Sequence, residues 1–243
     1  MHRGLSRGSP WLLGLLLTAG TGLEAATIEF GGHTWTVRSG EGGPGPNSWE
    51  ERNVWLDAQG LLHLKIRQHA GKWSCAEVTM KDRLGFGRYE FQVEGGIDRF
   101  DDNVVLGLFN YPTADVGPDG THELDLEFAR WGKPNQPIGN YTIWPVEKKL
   151  GQTSKTFAFQ LTGTMSTHRF DWAAHQVVCR SWQGLGDAGA EIAQWTFQPK
   201  DADRRISRSP MPVHLNLWLF QGKPPKDQQE VEVVIRSFSF TAP

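Results

Sequence analysis

The densest run of chemistry-bearing side chains in the sequence is His122-Glu123-Leu124-Asp125-Leu126-Glu127-Phe128. In an extended strand side chains alternate faces, so Glu123, Asp125 and Glu127 share one face while Leu124, Leu126 and Phe128 take the other. Three acids on one face repel one another, and sequences tolerate such strain mainly where it is used. The Cα atoms of the two glutamates would lie ~13 Å apart along a strand. On a concave sheet face their long side chains converge. Two carboxyl groups about 5–5.5 Å apart are what a retaining glycosidase needs, one as nucleophile and one as acid/base. The shorter Asp125 can hydrogen-bond a neighbour and hold one proton. Mutual repulsion raises the proton affinity of one member, as a general acid near neutral pH requires. The same spacing also suits a solvated acidic face, a set of oxygen ligands for calcium, or a sugar-binding surface without turnover. The triplet by itself leaves all of these open.

The segments around this run are short, alternating and β-like. Leu62, Leu64 and Ile66 share a face, Arg88–Val93 alternates likewise, and Val231, Val233 and Ile235 oppose Glu232, Val234 and Arg236. Asn103–Phe109 is nearly continuously apolar and reads as a central strand covered on both faces. No stretch sustains a helical period, and the polar segment 200–208 reads as a loop ahead of Ser209-Pro210. Strands at this spacing without a break in composition predict an all-β fold, a single two-sheet antiparallel sandwich.

Composition points the same way. The 243 residues include 11 Trp, 28 Gly and 14 Pro, a mixture suited to β-structure and to gripping flat, apolar-faced ligands such as sugars. A net charge of −2 lacks the basic excess that phosphate backbones attract, which argues against a nucleic-acid partner. Arg3 and Arg7 precede the apolar run Trp11–Leu17, which is too short to span a bilayer and reads as a secretory leader over residues 1–26. The mature chain is then one domain, 27–243, secreted or periplasmic, with no membrane attachment and expected to be a monomer. Two cysteines, Cys75 and Cys179, could pair in an exported chain, but two buried inert thiols are the favoured expectation. No CxxC or His spacing suggests zinc. No cofactor is called for, although a structural calcium is left open without any loop motif for it.

Three motif matches carry little. Gly4–Gly8 fits a nucleophile elbow but lies in the leader. The glycines of Gly40–Gly45 fit a dinucleotide fingerprint without the strand before or helix after it. Asn140-Tyr141-Thr142 is a formal glycosylation sequon.

Beyond the acidic run, the sequence resembles glycoside hydrolase family 16, the concanavalin-like β-jelly-roll enzymes that cut β-1,3- and β-1,4-glucans and related polysaccharides. The likeness rests on Glu123-Leu-Asp-Leu-Glu127, on Cys75-Ala76-Glu77 followed by Phe86–Glu90, on Leu108-Phe109-Asn110-Tyr111, on Thr167–Trp172 and on Asn216-Leu217-Trp218. It covers nearly the whole chain after the leader. It implies a jelly roll with a concave substrate cleft, Glu123 as nucleophile, Glu127 as acid/base and Asp125 assisting. It also implies cleft contacts from Glu77, Phe109, Asn140, Asn216 and Trp218, with Asn47 a further candidate. Trp218 and Phe109 would offer flat faces to sugar C–H surfaces, and Asn and Glu would bond hydroxyls. Three positions depart from the family pattern: Thr121 stands where lichenase-like members carry a stacking aromatic, Thr79 where a basic residue is common, and Ser48 where the partner of the Cys75 equivalent falls. The implied function is a retaining endo-glycosidase acting on a polysaccharide, most simply a β-glucan. The alternatives are a transglycosylase or a binding protein of the same fold.

Overall fold

A computed structural model describes residues 25–243; all but the last two residues of the leader segment lie outside the described residues. Two eight-stranded antiparallel sheets stack face to face. The front sheet runs, edge to edge, Thr27–Phe30, His33–Val37, Ala76–Met80, Val213–Leu219, Val104–Asn110, Leu124–Ala129, Gly139–Ile143 and Thr153–Phe157. The back sheet runs Glu191–Phe197, Val177–Gln183, Met165–Trp172, Gly87–Glu94, Val231–Thr241, Leu62–His69 and Val54–Leu56, with Lys72–Ser74 paired to Leu62–His69. Consecutive strands pair toward the sheet edges, while the central pairings, Ala76–Met80 with Val213–Leu219 and Gly87–Glu94 with Val231–Thr241, join segments far apart in sequence, as in a jelly-roll sandwich.

Alternation decides which side chains meet between the sheets. Leu62, Leu64 and Ile66 from the back sheet and Leu124, Leu126 and Phe128 from the front are all buried in one continuous core. Val104–Asn110 is buried at every position but Phe109, as a central strand covered on both faces must be. The last back-sheet strand changes its inward set midway. Val233 and Ile235 face the core, then Phe238 does, because the pairing with Gly87–Glu94 slips between Ile235 and Ser237 and Arg236 becomes the extra residue of a bulge. The expected loop over 200–208 instead contains one turn of α-helix, Ala202–Arg205. Ala202 and Ile206 anchor it in the core, and Arg204 holds Glu147 through a two-point ion pair of 2.6 and 2.9 Å.

Both cysteines are free and buried. Burial pushes the Cys75 thiol up to about 12, and the Cys75 Sγ donates to Asn47 Oδ1 at 3.4 Å. Denatured, unreduced protein should therefore titrate two thiols per chain with a thiol reagent. A count of zero would show a bridge and refute this arrangement.

Candidate active site

The acidic run straddles a strand end. Leu124–Ala129 is extended, with Leu124, Leu126 and Phe128 turned into the core and Asp125 and Glu127 turned outward. Glu123, expected within the strand, stands one residue before it. His122 adopts a left-handed conformation (φ 66°), which breaks the strand there. The turn is tied down locally: Thr121 Oγ1 donates to the Pro118 carbonyl at 2.6 Å, and His122 N–H donates to the Pro145 carbonyl at 3.1 Å. Gly117 leaves the room this requires, since a Cβ there would lie 2.6 Å from His122 Nδ1. Glu123 nonetheless stays aligned with its neighbour strand, because its carbonyl accepts the Trp144 N–H at 2.9 Å.

Pairing across the front sheet lines up a row on the outer face: Glu77, Asn216, Gly107, Glu127, Asn140, Thr156. A second row runs beside it: Thr79, His214, Phe109, Asp125, Thr142, Ser154. Together the rows floor a cleft that crosses the strands, with the acids near its middle. On one side lies a cavity of about 740 Å³ holding Arg38, Glu77, Phe109, Tyr111, His214 and Trp218. On the other lies one of about 520 Å³ holding Trp131, Gln136, Asn140, Thr142, Gln152 and Phe220. Glu123, Glu127 and Trp144 line both cavities.

Electrostatics in the middle are set by burial. Burial pushes the Glu123 carboxyl up to about 8, a proton on Asp125 shared toward Glu123 opposes the rise, and the charges of Glu127 and Asp119 add to it. Asp125 and Glu127 are also held well above the usual carboxylate range, first by burial and then by Glu123 and Asp125 respectively. Asp125 Oδ2 accepts the Trp144 indole N–H at 2.9 Å. The trio therefore keeps protons that isolated carboxyls would lose, and it loses them as a coupled set. Such a set can donate one proton and attack with one carboxylate. Among the described residues no group of three or more His, Cys, Asp or Glu is arranged to hold a metal ion.

The larger half of the cleft contains an ordered charge network. Arg38 Nη1 donates to Glu77 Oε2 at 2.7 Å, and His214 Nδ1 lies 3.0 Å from Glu77 Oε1. Burial pushes the Glu77 carboxyl up, but His214 and Arg38 outweigh it and hold it below its usual value. His214 stacks on Phe109 with ring centroids 5.1 Å apart, and Tyr111 closes over both while its hydroxyl donates to Asp119 at 2.6 Å. The smaller half is uncharged beyond the trio. Its aromatics are Trp131, Trp144 and Phe220, with hydroxyls from Thr142, Ser154 and Thr156.

The expected contact residues divide into three groups. Glu77, Phe109, Asn216 and Trp218 line the larger half. Asn216 Oδ1 is buried without a partner and faces the space above Gly107, so it is poised to receive a hydroxyl. Trp218 lies on the cleft face but is only 6% exposed, because it also packs in the core and against Trp131 at 6.4 Å. It is too covered to be an open platform. Asn140 lines the smaller half, yet its amide donates to the Ala129 and Ile138 carbonyls and its Oδ1 accepts Trp131 Nε1–H at 3.4 Å. Those bonds make it a brace for Trp131, and its burial removes it as a glycosylation acceptor. Asn47 leaves the contact set altogether: it lies outside both cavities, donates to the Pro44 and Leu219 carbonyls and accepts the Cys75 thiol. Thr121, buried, is no platform either.

No sequence motif points to Arg38, Trp131, Trp144 or His214, and Tyr111 closes the Leu108–Tyr111 motif without a contact role being expected of it. His214 and Trp144 were within reach of strand alternation, since His214 shares a face with Asn216 and Trp218, and Trp144 with Asn140 and Thr142. Arg38 and Trp131 sit beyond strand ends, where alternation says nothing. The Gly40–Gly45 segment, dismissed as a dinucleotide loop, forms an antiparallel hairpin with Asn47–Trp49 and places Gly43 and Pro44 on the cleft wall.

No protein-family model and no curated protein sequence matches this chain. Solved structures do match. A Bacillus licheniformis β-glucanase superimposes with a TM-score of 0.62 at 19% identity, covering 86% of this chain and 92% of that one. A glycoside hydrolase family 16 endo-glucanase from Bacteroides ovatus gives a TM-score of 0.62 at 12% identity, covering 85% and 94%. A β-1,3-glucanase from Mycobacterium marinum gives 0.62 at 16% identity, covering 85% and 90%. At these identities the likeness is one of fold.

Proposed function

We propose that this chain, which has the fold of the glycoside hydrolase family 16 glucanases, is a secreted retaining endo-glycosidase that cleaves internal β-linkages of a polysaccharide, in the first instance a β-glucan. The observation that supports it most is the trio of Glu123, Asp125 and Glu127 at the middle of a cleft open on both sides. A chain-end enzyme needs room on one side of the reacting bond. Here space for sugar rings extends both ways from the two glutamates.

In this reading Glu123 attacks the anomeric carbon while Glu127 gives its proton to the departing oxygen. A glycosyl ester on Glu123 results, and water activated by Glu127 then releases it. Asp125 keeps a proton beside Glu123, so the nucleophile can ionise without bringing two adjacent charges together. Asn216 and His214 meet sugar hydroxyls, and the aromatic faces of Phe109 and Trp131 meet C–H surfaces. A second sugar could take the place of water, which would make the protein a transglycosylase.

Reducing-end release from a panel of β-glucans, xyloglucan, agar, carrageenan and chitin-glucan material tests the proposal. Turnover on an internal β-glucan bond is expected. Binding to a polysaccharide with no release after long incubation would leave a binding protein instead.

The floor of the cleft gives a finer check. A Cβ at Gly107 would meet Asn216 Oδ1 at 2.5 Å and the Phe109 ring at 3.2 Å. Gly107→Ala should therefore displace Asn216 and lower kcat/KM by about tenfold or more, since small misplacements at a reacting site cost up to ~10²-fold. A melting curve beside the kinetics separates displacement of Asn216 from a general loss of packing, since Asn216 is itself buried. Unchanged kinetics would show that the substrate does not reach this floor.

A further inference from the structure

Trp144 is the one aromatic side chain shared by both halves of the cleft. It follows the Gly139–Ile143 strand and is half-buried, so part of its ring remains open to the cleft. Two contacts fix it. Its indole N–H donates to Asp125 Oδ2 at 2.9 Å, and its six-membered ring lies against the backbone of Gly120, where a Cβ would sit 3.6 Å from the ring. Gly120 has φ 78°, a conformation that favours glycine, so nothing intervenes between the loop and the indole. Meanwhile Thr121, two residues before Glu123, is buried and presents no face to the cleft.

We propose that Trp144 serves the reacting centre twice: its ring is the sugar platform at the point of cleavage, and its indole N–H orients the Asp125 carboxyl toward Glu123. The proposal rests on the glycosidase reading and assigns that site a positioning residue. Its physical basis is that one rigid side chain fixes the sugar and the acid relative to each other. A sugar seated on the indole is thereby aligned with the carboxyl that the same indole holds. The groups facing Asp125 are few. Glu123 and Glu127 lie on its own segment, and Phe109 and Thr142 flank it without charge. The Tyr111 hydroxyl and the buried Cys179 thiol are the other titratable groups that feel its charge. Trp144 is the only donor to its carboxyl among the described residues.

Two variants separate the two roles. Trp144→Phe keeps a ring and removes the N–H. It should lower kcat about ten- to a hundredfold, as expected for losing a donor to a carboxylate. KM should stay within about twofold. The alkaline limb of the pH–rate profile should move up by about half a unit or more, because Asp125 then holds its proton more firmly. Trp144→Ala should add a rise in KM of about tenfold, by analogy with bases stacked on aromatics. If Trp144→Phe matches wild type in kcat at every pH, or if Trp144→Ala changes only the melting temperature, the proposal is overturned.

A readout independent of turnover keeps this distinct from the fate of the glycosidase reading. The Trp144 indole ¹⁵N–¹H resonance, assigned by its loss in Trp144→Phe, should titrate with the acidic trio. It should also shift on addition of a β-1,3-1,4-glucan tetrasaccharide to the Glu127→Gln protein. A wild-type protein that releases no reducing ends removes the glycosidase reading alone. An indole resonance that stays flat from pH 4 to 9 and ignores the tetrasaccharide overturns the role of Trp144.

Discussion

Glu123→Gln and Glu127→Gln should each lower turnover by about 10³-fold or more, because residues that act as one unit fail together when either is lost. The losses should differ in kind. With Glu123 shortened to Ala, the anomeric carbon loses its attacking carboxylate but the cleft gains room for a small anion. Azide should then restore cleavage and leave a glycosyl azide of inverted configuration, since one displacement replaces two. With Glu127 shortened, the glycosyl ester still forms from substrates with good leaving groups. Azide should there attack that ester and leave a product of retained configuration. Rescue with the two configurations exchanged would exchange the roles of the glutamates. Wild-type turnover in both Gln variants would remove the trio from the chemistry. The melting temperature controls for folding, and neither Gln side chain alters the volume that the surrounding strands must accommodate.

Much of this arrangement is legible in the residues because period-2 alternation is a hard geometric constraint. Leu124, Leu126 and Phe128 must face one way, so Asp125 and Glu127 must face the other, and the structure keeps that division. The same logic places Leu62, Leu64 and Ile66 in the core. Alternation fails where the backbone leaves the strand. Glu123 lies past the turn made by the left-handed His122, and the inward set of Val231–Thr241 changes at the bulge of Arg236. The bulge has no Gly or Pro to announce it, and Gly117, Pro118 and Gly120 signal a turn before His122 without showing where the strand begins. Burial statistics mislead in a different way. Asn47 and Asn140 have the right chemistry for sugar hydroxyls, but nearby backbone carbonyls claim their amides first. A sequence shows what a side chain can bond, whereas only the fold shows which partner arrives. Arg38 is the converse: a surface-type residue drawn into the cleft by the buried Glu77, with its guanidinium lying over Trp49 at 4.2 Å.

Asp125→Asn should stabilise the folded protein at alkaline pH while it impairs catalysis. The reason is the cost of crowding buried acids. A carboxyl whose proton affinity is raised by folding binds more protons folded than unfolded, so stability falls as pH rises. For Glu123 the window opens near the ordinary value of 4.5 and closes near 8, and Asp125 is displaced in the same direction. Asn cannot ionise, yet its Oδ1 can still accept the Trp144 indole N–H. The variant therefore escapes most of the alkaline loss. Each unit of displacement relieved is worth about 1.4 kcal/mol, which for a domain of this size is about 3–6 °C in melting temperature. The gain should shrink as pH falls toward 3.8, the ordinary value of Asp125, below which folded and unfolded wild type both hold that proton. The acid limb supplies a control in the same data. His168 is fully buried between Ser166 and Ser181, and burial pulls its imidazole down to about 3 from 6.5. Folded His168 stays neutral where the unfolded chain takes a proton, so stability falls as pH drops from 6.5 toward 3. His168 is unchanged in Asp125→Asn, so its contribution should be common to both profiles and cancel in their difference. Melting curves from pH 4 to 9 decide the matter. Parallel profiles for the two proteins would show that Asp125 stores no electrostatic strain in the trio.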